Sequence, residues 1–124
     1  MNDRRYVDQV PNLPTLNPSA LEQIRSLPAA SDDGFVKRLL ELYRRQASER
    51  LEALHVAAAG DDWATVHRIS HAWKTSAGQL GAERLQSLLN DLELRSRSGR
   101  PMGLERAVAG VAAEHQRLLE ALED

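Results

Sequence analysis

The sequence predicts an all-α protein: an antiparallel up-down four-helix bundle with a short N-terminal lid helix. Three observations carry this. Apolar residues recur in steps of three and four along four long stretches, short polar turns with cap residues divide those stretches, and no stretch alternates with the period of two that a strand needs. Four amphipathic helices that must each bury one stripe pack most simply against one another.

Residues 1–15 hold Pro11 and Pro14 and no sustained apolar period, so they read as an extended lead or linker, with the bundle domain spanning 16–124. Asn17 then offers a cap and Pro18 suits a first helical position. Leu21, Ile24 and Leu27 follow at helical spacing, which gives a short first helix ending near Pro28. Ser31-Asp32-Asp33 supplies a cap and favourable negative charge for the second helix, along which Val36, Leu40, Tyr43, Ala47, Leu51, Leu54 and Ala58 form one stripe. Gly60 is expected to stop it, with Asp61-Asp62 starting the next helix at Trp63. Gly81 should break or bend that third helix, after which Leu85, Leu88, Leu89 and Leu92 mark the fourth. Ser96-Arg97-Ser98-Gly99-Arg100-Pro101 reads as a loop, and Leu104, Val108, Val111, His115, Leu118 and Leu122 stripe the last helix.

A chain of 124 residues suits one domain with a modest core. It has no cysteine, so neither a disulfide framework nor a thiolate metal site is available. The formal net charge of −2, with both signs interspersed, leaves no basic stripe for nucleic acid and no polybasic membrane patch. No apolar run is long enough to span a bilayer, and Met1-Asn2-Asp3-Arg4-Arg5 is followed by no apolar signal core. The expectation is a soluble, cytoplasmic, monomeric domain without membrane insertion.

The third helix concentrates the chemistry. With ~100° of rotation per residue, Lys74 lies ~60° from His71 on one side, Thr75 ~40° on the other, and Gly78 ~20° away. Ile69, Trp73 and Leu80 lie ~160–200° from His71, with Ser76 beside them and Val66 at their edge. His71 therefore points to water.

The run His71-Ala72-Trp73-Lys74-Thr75-Ser76-Ala77-Gly78-Gln79-Leu80-Gly81-Ala82 resembles the phosphoacceptor signature of the histidine-containing phosphotransfer (HPt) domains of two-component phosphorelays. The usual form is His-x-[apolar]-Lys-Gly-[small]-[small]-x-x-[apolar]-Gly. His71 matches the phosphorylated histidine, Lys74 the lysine, Ser76 and Ala77 the small pair, and Gly81 the closing glycine. Thr75 departs from it, standing where the family usually has glycine. The resemblance extends more loosely from about Leu16 to the C-terminus and includes the Leu92-Glu93 pair.

A lone histidine on a polar helix face is usually just solvated, and the motif reverses that expectation for His71. A phosphoacceptor must be exposed so that a partner's active site can close over it, and a free imidazole, with its ordinary pKa of ~6.5, is largely neutral and nucleophilic near neutral pH. Lys74, one turn on, is placed to set an ammonium beside the phosphoryl oxygens. Gly78 on the same face would let another protein approach closely, and Gly81 is structural. His67, Arg68, Thr75 and Gly78 are assigned to partner contact. His67 stands four residues before His71, a spacing two metal ligands can use, but no third ligand is evident. His115 is expected as a hydrogen-bonded core or boundary residue, Trp73 as core and Trp63 as helix-start packing, while His55 carries no signal.

The resemblance implies a phosphorelay intermediate that takes a phosphoryl group on His71 from the aspartyl phosphate of one response-regulator receiver domain and passes it to another. A hybrid sensor histidine kinase would stand upstream. The sequence shows neither a carboxylate cluster around His71 nor a Gly-rich nucleotide loop, so the chain should bind no cofactor, have no kinase or hydrolase site of its own, and rely on Mg²⁺ in the receiver. Two rivals are a helical module that docks on a receiver or kinase as a scaffold or inhibitor without carrying phosphate, which Thr75 keeps open, and a metal-dependent enzyme using His67 and His71.

Overall fold

The computed structural model of the chain describes residues 12–28, 33–98 and 103–123. Among these residues there are five helices and no strand: α1 (Pro18–Arg25), α2 (Asp33–Ala59), α3 (Trp63–Leu80), α4 (Glu83–Arg97) and α5 (Leu104–Glu123). α2 packs on α3, α3 on α4, α4 on α5, and α5 returns to α2, so the four long helices enclose one core. α1 sits against α3.

Trp73 fixes the rotation of α3. Its indole is fully buried, donates through Nε1 to the Tyr43 hydroxyl at 3.2 Å, and meets the His115 ring edge-on with centroids 5.5 Å apart. Burying ~200 Å² of indole at ~25 cal/mol per Å² contributes on the order of 5 kcal/mol. Val66, Ala77 and Leu80 are buried on the same face, and His71, roughly opposite, is left outside. On α2 the expected stripe turns inward, with Tyr43, Ala47, Leu54 and Ala58 buried and Val36, Leu40 and Leu51 half-buried. Leu85, Leu89, Leu92, Val108, Val111 and Leu118 complete the core. His115 joins it as expected, but its Nδ1 has no hydrogen-bond partner, so at that atom the hydrogen-bonded role foreseen for it is not met. Burial pushes its pKa down, because the charged form loses its hydration.

The turns follow from backbone groups seeking partners. At the end of α2 the left-handed residue is Asp61, at φ 54°, not Gly60; Asp61 N–H bonds to Ala58 O at 3.3 Å and Asp62 N–H to Ala57 O at 2.8 Å. This is a Schellman close, whose left-handed position aspartate tolerates better than most side chains. The Asp62 carboxylate then caps α3, accepting from Thr65 N–H at 3.2 Å and from its hydroxyl at 2.6 Å. The same closure ends α3 at Gly81, whose φ is 86°: Gly81 N–H bonds to Gly78 O and Ala82 N–H to Ala77 O. Asn17 N–H reaches Gly81 O at 2.8 Å, which seats the start of α1 on this turn, and the Asn17 side chain caps α1 through Ser19 N–H.

Three expectations change. Ser96 and Arg97, assigned to a loop, form the last turn of α4, where buried Ser96 donates back to Leu92 O and Glu93 O. Trp63 is substantially exposed rather than packed. The lead is not wholly separate, since Pro14 O accepts from Arg84 N–H and Leu13 O from Arg84 Nε, both at 3.1 Å. Residues 1–11, the Ser31-Asp32 cap and the Gly99-Arg100-Pro101 part of the loop lie outside the described residues.

Candidate functional site

His71 stands at mid-length on α3 with 64% of its side chain exposed. Its Nδ1 lies 2.6 Å from Oε1 of Glu93, which comes from α4 and keeps only 11% exposure. The other carboxylate oxygen, Oε2, forms an ion pair with Lys74, whose ammonium also donates to Asn90 Oδ1 at 3.1 Å. One carboxylate thus joins the candidate acceptor to the candidate cation across the α3–α4 seam. Burial alone would raise the Glu93 pKa. Hydrogen bonds from Lys74 and His71, with their charges, outweigh burial and hold the carboxyl below its ordinary value.

An ionised Glu93 can only accept, so the hydrogen lies on Nδ1 of His71. The neutral ring then keeps a lone pair on Nε2, and a nucleophile is what an exposed imidazole in this tautomer provides. The ring is oriented as well as exposed.

The remaining residues chosen from the sequence fall around this centre. His67, half-buried, donates from Nδ1 to the Glu93 carbonyl at 3.2 Å, so it supports the backbone of the residue that holds His71. Arg68 is exposed on the next position of the helix. The Thr75 hydroxyl lies 3.4 Å from the His71 carbonyl, and Thr75 is exposed. The space left by Gly78 is not open to an approaching protein: the side-chain amide of Gln86 from α4 occupies it, 2.3 Å from where a Cβ would stand. Gly81 closes α3 in the left-handed conformation. Among the described residues no group of three or more His, Asp or Glu side chains could hold a metal ion.

Sequence reasoning missed Glu93 and Asn90 as parts of the site. The one signal was the Leu92-Glu93 pair: a leucine pointing into the core places its neighbour about a quarter-turn round, at the seam with α3.

The family model described as Hpt domain matches residues 38–124, and the chain belongs to this family, whose members are phosphotransfer carriers in two-component phosphorelays and work with receiver domains and kinases. The crystal structure of histidine-containing phosphotransfer protein B (HptB) from Pseudomonas aeruginosa PAO1 is similar, with a TM-score of 0.77 over 85% of this chain and 88% of that one, at 21% identity. At that identity the likeness speaks for the fold. No curated protein sequence matches. No described helix is long and apolar enough to cross a membrane.

Proposed function

We propose that this chain carries phosphoryl groups between receiver domains, taking one onto Nε2 of His71 from a receiver's aspartyl phosphate and giving it to a second receiver. The observation that supports this most directly is the exposed His71 ring held through Nδ1 by Glu93. In uptake the Nε2 lone pair forms the N–P bond while the P–O bond to the receiver's aspartate breaks, and the carboxylate leaves with that electron pair. No proton has to move. Nδ1 keeps its hydrogen, the ring gains positive charge, and Glu93 faces that charge, a charge-assisted hydrogen bond being roughly twice as strong as a neutral one. In the return step the leaving group is a neutral imidazole, still protonated on Nδ1.

Lys74, held by Glu93 and Asn90, stands beside the acceptor and offsets the negative charge of the phosphoryl oxygens. The receiver supplies the acidic pocket and the Mg²⁺. His67, Arg68 and Thr75 face the docked receiver, whereas Gly78 serves the packing of Gln86. An antiparallel up-down order with α1 as a lid belongs to this reading, supported by the two-to-three-residue turns at 60–62 and 81–82. A monomeric, cytoplasmic carrier fed by a hybrid sensor kinase fits it.

The test is incubation with a panel of phosphorylated receiver domains. The parent chain gains phosphate from at least one of them. His71→Gln keeps its helicity, because the residue is exposed, and gains none. Uptake in that variant at the parental level would overturn the assignment of His71, and receiver binding without any uptake by the parent would favour the docking module instead.

A further inference from the structure

Toward the N-terminal end of α3, the seam with α4 opens into a cleft of about 230 Å³ lined by Trp63, Ala64, His67, Ser96 and Arg97. Trp63 is 42% exposed, while the other tryptophan, Trp73, is fully buried. The indole is not needed to start α3, because Asp62 caps that helix through Thr65. His67 is fixed by its bond to the Glu93 carbonyl, the carbonyl of the residue that holds His71. The Ser96 hydroxyl is turned back onto its own helix and offers the cleft no free donor. Arg97 is exposed and makes no ion pair with any described residue.

We propose that this cleft is a docking contact for the receiver that exchanges phosphate with His71: the Trp63 indole covers an apolar side chain on the receiver, and Arg97 meets a carboxylate at the receiver's acidic rim. The contact helps set which receivers are accepted. This rests on the phosphotransfer reading.

Distance selects the occupant. Trp63 stands eight residues before His71, ~12 Å along the helix axis. A standard interface buries ~800 Å² on each partner, a disc of roughly 16 Å radius, so a receiver centred on His71 covers the cleft. The cleft also lies on the side of His71 that faces α4, as Lys74 and Glu93 do, since Trp63 falls ~80° and His67 ~40° from His71 in the direction of Lys74. Trp and Arg carry a large share of interface energy when a partner desolvates them. Here both line one cleft, exposed and outside the core, with Trp63 ~12 Å from His71 along the helix axis.

With only two tryptophans in the chain, the contact can be watched directly. The full chain is labelled with 5-fluorotryptophan, its two ¹⁹F resonances are assigned with Trp63→Phe, and a beryllofluoride-activated receiver that exchanges phosphate with His71 is added. The Trp63 resonance shifts and the Trp73 resonance stays. Trp63→Ala and, independently, the surface change Arg97→Glu each raise the KM for the phosphorylated receiver about tenfold, with kcat far less affected. Transfer with a silent Trp63 resonance and an unchanged KM in both variants overturns the inference and leaves the proposed function standing. A Trp63 shift produced by concentrating the chain alone, with none on adding receiver, makes the cleft a contact between copies and likewise overturns it. Absence of transfer from every receiver overturns the function, and the inference with it.

Discussion

Glu93 on α4 holds Nδ1 of His71 on α3 at 2.6 Å, and its other oxygen pairs with Lys74. The candidate acceptor and the candidate cation are therefore linked through a carboxylate on a different helix, 22 residues from His71. Packing α3 against α4 sets the state of the imidazole, because a shift between the two helices would release Nδ1.

Replacing Glu93 by Gln keeps the shape and removes the charge. Hydrogen bonds to charged groups contribute ~1.5–3 kcal/mol, so phosphoryl uptake in Glu93→Gln, which charges the ring, should slow by about tenfold or more, while release, which discharges it, should not slow. Single-turnover transfer measures the rate. The ¹⁵N spectrum of the parent should show His71 with its hydrogen on Nδ1, and a mixture of tautomers in Glu93→Ala. A parental rate in both variants would leave Glu93 as a packing residue.

Lys74→Ala removes the cation and leaves Glu93 with His71 alone. Oε2 of Glu93 is buried, so removing its partner leaves a carboxylate oxygen unsatisfied and should cost on the order of 1–3 kcal/mol of stability. Transfer should slow, or the phosphorylated state should decay faster, and the Glu93 pKa should rise toward its ordinary value because a partner that lowers it is gone. Carboxyl ¹³C titration reads that shift. A parental titration curve with parental kinetics would return Lys74 to an ordinary surface lysine.

The helices were legible in the sequence because each buries a stripe: Trp73, Leu85, Val108 and their neighbours could be placed by spacing alone. Asn17 and Asp62 were legible as cap residues. What spacing could not show was the contact between two helices at the seam. Nothing local to Glu93 states that it meets His71, and nothing local to Gly78 states that Gln86 fills its space. Asp61 took the left-handed position expected near Gly60 because the α2 carbonyls at Ala57 and Ala58 closed one residue later. Ser96 looked like loop because serine favours turns, yet its hydroxyl bonds back within α4 and burial tolerates it.

His115 predicts a response to pH. Its ring is buried against Trp73 with Nδ1 unpartnered, so the folded state resists protonation and its pKa is lowered from 6.5. Between that ordinary value and the lowered one, the unfolded chain binds more protons, so stability falls as pH drops below about 6.5. Glu93, also lowered, adds a separate loss as pH falls through the range below its ordinary 4.5. Urea unfolding at pH 7.5 and 5.5 should show the first loss in the parent and a smaller one in His115→Leu. Equal losses would place the first effect elsewhere.

Gly81→Ala should be costly. A Cβ there would stand 2.6 Å from the Ala20 Cβ and 2.8 Å from the Asn17 carbonyl, and the left-handed backbone alone costs ~1–2 kcal/mol for a residue with a side chain. A loss of roughly 2 kcal/mol or more is expected in urea unfolding, with faster amide exchange across α1, which seats on this turn. A loss under ~0.5 kcal/mol would mean that α1 moves aside freely.

Thr75 stands where glycine is usual, and its hydroxyl lies 3.4 Å from the His71 carbonyl. A hydroxyl turned back to the preceding turn is engaged by the backbone and is held away from a phosphoryl group on the ring. What threonine adds to the surface is then bulk one turn from His71, which on the proposed function should exclude some receivers while admitting others. Thr75→Gly should lower helix stability by roughly 0.5 kcal/mol, the difference in propensity, and should widen the set of receivers that exchange phosphate with His71. Both proteins are profiled against one panel of phosphorylated receivers, and the lifetime of the phosphorylated state is followed alongside. If the glycine variant accepts no new receiver and loses phosphate faster, the hydroxyl leaves the carbonyl to bind the phosphoryl group, and Thr75 acts as a ligand instead of a barrier.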